Sequence, residues 1–352
     1  MTSSLKRAVG RRSASLSLAD RLFSTGEDRR TAALIEDAID ALEERLSVES
    51  RFAAGLVDVV ARYLLEAGGK RVRPVLAFLV AQLGDGITPD VQTAAASIEL
   101  THLASLYHDD VMDDADQRRG VPSAQNVWGN SVAILTGDLL FARASQLLAQ
   151  LGERAIRLQA DTFERLCLGQ LNETIGPGPD VDPIEHYIQV LSDKTGSLIA
   201  AAGQLGLIFS NAPSAYEEPV RVFGEKVGVA FQLVDDVLDL SPHSEETGKL
   251  AGTDIRAGVA TLPVLYLREA AVADAEAAAL LERLTPEALE SADAETADAA
   301  ITALREHEVT RRTVAEARRW AAEATAALAP LPDGTVKKTL IRFADTVVER
   351  TS

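Results

Sequence analysis

A lone cysteine, Cys167, leaves the chain no intrachain disulfide and accords with a reducing compartment, so the cytoplasm is the expected location. Aromatic residues are few, 5% of 352 residues, whereas Ala and Leu lead an apolar fraction of 47%. That balance favours close-packed helices over sheets. Positive charge is also scarce: 35 Lys and Arg face 53 Asp and Glu, for a formal charge of −18. A general nucleic-acid binder is thereby excluded, because phosphate recognition needs a basic stripe that releases counterions. A phosphorylated small molecule stays admissible if metal ions or a local basic cluster reverse the field. No apolar run reaches the roughly 18 to 20 residues of a bilayer span, so no transmembrane segment is expected.

Length alone admits one large domain or two. The first residues carry Lys6, Arg7, Arg11 and Arg12 with several serines, no acid and no apolar signal core. A disordered basic tail is expected over residues 1–28, leaving 29–352 as one all-α domain. Apolar residues recur at three- and four-residue spacing over 31–46 and 51–66, as on helices with one buried stripe. Gly68 and Gly69 break the pattern, and Pro74 opens a helix through about residue 83. A long helix is expected over 94–114, then a polar segment over 116–122. Further helices are expected near 132–151, 154–173, 183–209, 215–240 and 262–272, with a Gly/Pro loop over 175–182. The Ala/Glu-rich C-terminal third carries no chemical motif and is assigned to packing or assembly. A single large helical bundle results.

Two acidic clusters stand out. In Asp109-Asp110-Val111-Met112-Asp113-Asp114, Asp109 and Asp113 lie one helical turn apart and share a face. Asp235-Asp236-Val237-Leu238-Asp239 repeats the spacing. One such cluster is a tolerable solvated helix end, but the second follows the apolar stretch Val227-Gly228-Val229-Ala230-Phe231-Gln232-Leu233-Val234, which places its acids near a core. Buried carboxylates neutralise, pair or bind metal. Oxygen ligands without His or Cys suit magnesium, which takes one or two carboxylates, waters and substrate phosphates. A diphosphate is the natural guest. Basic residues flank the acids: Lys70, Arg71 and Arg73 at a helix start, and Arg118-Arg119-Gly120 just after the first cluster.

These residues resemble the trans-type polyprenyl diphosphate synthases, most nearly the bacterial long-chain members. The likeness covers about residues 68–263: GGKRVRP, IELTHLASLYHDDVMDDADQRRG, the Gly137-Asp138 pair, DKTGSL, FQLVDDVLD and GKLAGTDIRAGVATLP. The resemblance implies the isoprenoid synthase fold around a central cavity, a homodimer, and three magnesium ions per site with substrate bound. It implies that Asp109, Asp113 and Asp235 ligate metal, and that Asp110, Asp236, Asp239 and Lys194 complete the catalytic set. Lys70, Arg73, His102 and Arg119 would hold isopentenyl diphosphate. Arg118, Lys194, Thr195, Gln232 and Lys249 would hold the allylic diphosphate. One departure is Gly258-Val259-Ala260-Thr261, where the family often carries Gly-Lys-x-Thr.

The implied reaction is ionisation of the allylic diphosphate, attack by the isopentenyl double bond and loss of a proton, with no side-chain nucleophile. Short-chain members place an aromatic four or five residues before the first Asp, where this chain has Ser105 and Ala104, with Thr101 a turn below. One helical turn of about 5.4 Å matches roughly one isoprene unit, so small residues there imply a long product such as a quinone side chain. The same small residues would also permit tight helix packing. A geranylgeranyl- or farnesyl-length synthase and a terpene cyclase are the competing readings within the fold; DDVLD and GGKRVRP argue against the cyclase. An HD-type phosphohydrolase needs more histidines than the five present. A non-catalytic partner subunit usually loses the acidic motifs that this chain keeps.

Overall fold

The structure is a computed structural model that describes residues 29–52, 55–241 and 251–349. The basic tail expected over 1–28 and the ligand expected at Lys249 lie outside the described residues. The first helices are α1 (Arg29–Glu49), α2 (Gly55–Glu66), α3 (Val72–Ala81) and α4 (Pro89–Met112). A two-residue hairpin, β1 (Gln117–Arg118) and β2 (Val121–Pro122), leads to α5 (Ala124–Trp128), α6 (Asn130–Ala149), α7 (Glu153–Ile175) and α8 (Pro183–Leu191). A π-helical turn, Ser192–Gly196, joins α8 to α9 (Ser197–Phe209), and α10 (Glu217–Asp239) follows. The C-terminal part holds α11 (Thr253–Arg256), α12 (Leu262–Ala271), α13 (Ala275–Arg283), α14 (Pro286–Ser291), α15 (Ala294–Glu306), α16 (Glu308–Ala327) and α17 (Thr335–Glu349).

Burial follows the apolar spacing. On α1, Ile35, Ala38, Leu42 and Leu46 form one buried stripe, each full-sized side chain contributing roughly 2 kcal/mol of transfer free energy. In α3 every residue from Pro74 to Ala81 is buried, and α9 is nearly as enclosed, so these two helices cross at the centre. α4 packs along α6, and α10 along α9 and α16. Phe223 of α10 faces Phe343 of α17 across 6.3 Å between ring centroids. The motif-free C-terminal third therefore backs the helix that carries the second acidic cluster.

Several boundaries depart from the sequence expectation. α4 starts at Pro89, earlier than 94, because Thr88 caps it: its Oγ1 accepts from the Val91 N–H at 3.2 Å. It ends at Met112, since Asp113 is the C-cap and Asp114 turns into the left-handed region at φ 49°. The continuous helix expected over 183–209 is interrupted by the π turn. The polar segment after α4 is an ordered hairpin whose tip, Arg119 and Gly120, has positive φ at both residues, as two-residue hairpins require. Among the described residues α6 alone is long and apolar enough to cross a membrane by length and composition, although Asp138 and Arg143 interrupt its apolar run. In this fold it is a bundle helix, with the Ser97 hydroxyl of α4 donating to the Ala144 carbonyl at 2.9 Å.

Candidate active site

Both acidic clusters sit at the C-terminal ends of long helices, α4 and α10, where the helix dipole already concentrates negative charge. Such ends repel carboxylates, so the arrangement calls for positive charge from outside the helices. Burial pushes Asp109 up to about 6, with Asp113 and Glu173 adding to the rise and Lys194 opposing it. Asp254, at the start of α11, is likewise pushed up to about 6 by burial. Asp239, Glu173 and Asp113 raise it further, and Lys194 again pulls it down. Acids of the first and second clusters thus act on the same neighbours. They share one electrostatic region centred on Lys194.

The seven cluster acids differ in what they touch. Asp110 is fully buried and accepts from Arg118 Nε at 2.6 Å, with burial raising its pKa against the pull of that guanidinium. Its Oδ2 has no partner. Asp236, 2% exposed, accepts from the Tyr187 hydroxyl at 2.6 Å and from the backbone N–H of Leu262. Burial drives its pKa well above the usual range, as it does for Tyr187. Asp239 Oδ2 accepts from the Asp254 N–H at 3.1 Å, and its carbonyl accepts from Gly252. Asp236 and Asp239 thereby fasten α12 and α11 to the end of α10.

The π turn carries the DKTGSL segment, and π insertions of this kind often mark functional positions. Lys194 leaves it to meet Glu173 of α7. Burial lowers the Lys194 pKa, but Glu173, Asp109 and Asp113 outweigh it and the net shift is upward. The turn can approach α7 because residue 169 is glycine: a Cβ there would lie 2.7 Å from the Lys194 nitrogen. Arg165 clamps the turn from α7, donating to Asp193 at 2.7 Å and also to Glu225. Thr195 Oγ1 lies 3.5 Å from Gln232 Oε1, bringing two expected ligands together.

A cationic nest faces the first cluster. Arg73 at the start of α3 is held to about 10 by burial, with Glu99 and Asp109 restoring and Arg119 lowering its pKa, and its Nε is buried without a partner. His102 sits among Arg73, Arg119, Arg71 and Arg118; burial first, then those charges, keep its pKa well below 6.5. Arg119 is anchored by donation to the Leu64 carbonyl at 2.7 Å. Lys70 is exposed at the nest's rim. His108 is fixed by the Ile134 carbonyl at 3.1 Å and by Asp138 at 3.2 Å, which accounts for one partner of the Gly137-Asp138 pair. At the expected gates, Ala104 and Thr101 are buried, whereas Ser105 is half-buried.

Glu43, Glu99, Glu173, Tyr187 and Asp254 were not among the expected site residues. Glu99 and Asp254 stand inside the quoted motifs, so a signal existed for them. Glu43, Glu173 and Tyr187 are ordinary helix residues in sequence, and only the packing of α1, α7 and α8 brings them in.

A helical bundle with paired acidic helix ends opposite buried cations describes an isoprenoid synthase-type enzyme. Residues 55–301 match the polyprenyl synthetase family, and the chain belongs to it; it is a prenyltransferase. It is 45% identical over 323 residues to a nonaprenyl diphosphate synthase of Mycobacterium tuberculosis, covering 91% of this chain and 94% of that one. Among solved structures, a decaprenyl diphosphate synthase from Rhodobacter capsulatus superposes with TM-score 0.81 at 32% identity, over 92% of this chain and 99% of that one. A geranylgeranyl pyrophosphate synthase from Corynebacterium glutamicum, complexed with calcium and isoprenyl diphosphate, gives TM-score 0.79 at 40% identity, over 93% and 98%.

The residues present fit a divalent cation. Carboxylates at 109 and 254 are raised because burial leaves them short of positive charge. Among the described residues no three His, Cys, Asp or Glu are gathered closely enough to hold an ion by themselves.

Proposed function

We propose that the chain condenses isopentenyl diphosphate with an allylic diphosphate to build a long all-trans polyprenyl diphosphate, of the kind used as a quinone side chain. The observation that carries this reading is the region shared by Asp109, Asp113, Asp239, Asp254 and Lys194. It is a place for a metal-bound diphosphate, with the nest of Arg73, His102 and Arg119 beside it for a second one. Asp109, Asp113 and Asp235 would hold magnesium, whose chemistry is to neutralise the allylic diphosphate and ease its departure. Lys194, Thr195, Gln232 and Lys249 would orient that diphosphate. Lys70, Arg73, His102 and Arg119 would fix the isopentenyl partner so that its double bond meets the reacting carbon. Arg118, already joined to Asp110, serves the first acidic cluster in addition to any substrate contact. No protein base is needed if the released diphosphate takes the proton.

Product length rests on the α4 gate and on the long-chain names of the relatives. Ser105 is the small residue left half-buried, which supports it over the buried Ala104 as the position past which the growing chain runs. The assembly is a homodimer in this reading, supported by an exposed apolar stripe of Leu168, Leu171 and Ile175 on α7 and by the exposed Leu135 on α6. Action in the cytoplasm accords with the unpaired Cys167. The test is incubation with labelled isopentenyl diphosphate, magnesium and geranyl, farnesyl or geranylgeranyl diphosphate, followed by chain-length analysis. Long products are expected, and Asp109→Ala or Asp235→Ala should cut turnover by orders of magnitude with the fold intact. Products stopping at four isoprene units would favour the geranylgeranyl-length reading suggested by the 40% identical structure.

A further inference from the structure

The middle cation of GGKRVRP does not join the nest as a ligand. Arg71 is 5% exposed and adopts a left-handed φ of 48° at the N-cap of α3, a conformation uncommon for a residue with a side chain. Its guanidinium is taken up on both sides by acids. Nε meets Glu43 Oε1 at 2.5 Å and Nη2 meets Glu43 Oε2 at 3.1 Å, a two-pronged contact to α1. Nη1 meets Glu99 of α4 at 2.9 Å. Glu99 is 2% exposed, and its charge also acts on Arg73 and Arg119. The same guanidinium lies directly under the loop before it: a Cβ on Gly69 would fall 2.5 Å from Arg71 Nη1 and 3.0 Å from Arg119 Nη2.

Three arginines crowded together repel one another when no anion is bound, and a strained backbone at residue 71 adds to the cost. Glu99 is the buried countercharge close to all three guanidiniums. We propose that Glu99 and Glu43, acting through Arg71, are positioning residues for the isopentenyl diphosphate headgroup: they hold the Gly68-Gly69-Lys70 loop, Arg73 and Arg119 in the binding arrangement before the substrate arrives. Glu99 and Glu43 belong to α4 and α1, so the pocket's shape is tied to the seating of the first helix on the bundle. This assignment rests on the reading that the nest takes isopentenyl diphosphate.

Steady-state kinetics with both substrates varied tests it. Removing the countercharge in Glu99→Gln loses a charge-assisted contact, so KM for isopentenyl diphosphate should rise about tenfold, with KM for the allylic substrate shifting less than about twofold. Glu99→Asp should recover part of the loss. Glu43→Gln, at the more exposed end of the chain of contacts, should raise the same KM more modestly and supplies the answer if Glu99→Gln fails to fold. An unchanged isopentenyl KM in folded Glu99→Gln or Glu43→Gln, or an equal loss in both substrates that tracks melting temperature, overturns the proposal. The underlying reading fails separately: Arg73→Ala in the otherwise unaltered enzyme would then change the allylic KM instead.

Discussion

Gly169→Ala tests how Lys194 is placed without touching the substrate. Residue 169 lies within α7, where Ala is favoured over Gly by about 1 kcal/mol, so propensity alone predicts a more stable protein. The tertiary contact predicts the reverse. The new Cβ would stand 2.7 Å from the Lys194 nitrogen and 3.1 Å from its Cα, about 0.7 Å inside the 3.4 Å at which ordinary contact begins. Both atoms are backbone, so no rotamer change relieves the clash, and the π turn must move. Overpacking of this kind costs roughly 1 to 3 kcal/mol, which outweighs the helical gain. A displacement approaching 1 Å at an orienting group lowers rate by up to about a hundredfold. Denaturant unfolding should therefore show net destabilisation of about 1 kcal/mol, and kcat/KM for the allylic substrate should fall at least about tenfold. Arg73 and His102 are carried by α3 and α4 and not by the turn, so the isopentenyl KM should change less. A variant that is more stable and kinetically normal would refute the reasoning.

Tyr187→Phe removes a donor from the buried Asp236 carboxylate and leaves the Leu262 N–H, so unfolding free energy should drop by about 1.5 to 3 kcal/mol, with an unchanged value contradicting the contact. His102 bears on pH. Its folded pKa lies well below 6.5, so below that pH the unfolded chain takes up a proton that the folded one refuses, and stability falls with acidification. That loss should set in as pH drops through 6.5, and His102→Gln should remove this part of the slope in parallel denaturant titrations. Ser105→Phe should shorten the product by several isoprene units while Ala104→Phe, at a buried position, should mainly destabilise the fold. Identical product lengths in folded Ser105→Phe and the parent chain would remove Ser105 as the gate.

The sequence by itself determined the helical class, because three- and four-residue spacing and an Ala/Leu-rich apolar set leave few other ways to bury α1, α3 or α10. It also marked both acidic clusters and the basic motifs, since each is a local pattern on one turn or helix end. What it could not decide was which groups meet. Glu173 and Lys194 are 21 residues apart and Tyr187 and Asp236 are 49, so their pairing depends on how α7, α8 and α10 pack. The π turn is invisible in a helical spacing pattern because α9 beyond it is buried on nearly every side, so the one-residue shift in register breaks no visible stripe. The division of labour within DDVLD was likewise set by burial: identical side chains at 236 and 239 came to hold α12 and α11, because tertiary packing presented a tyrosine hydroxyl and free helix N–H groups to them.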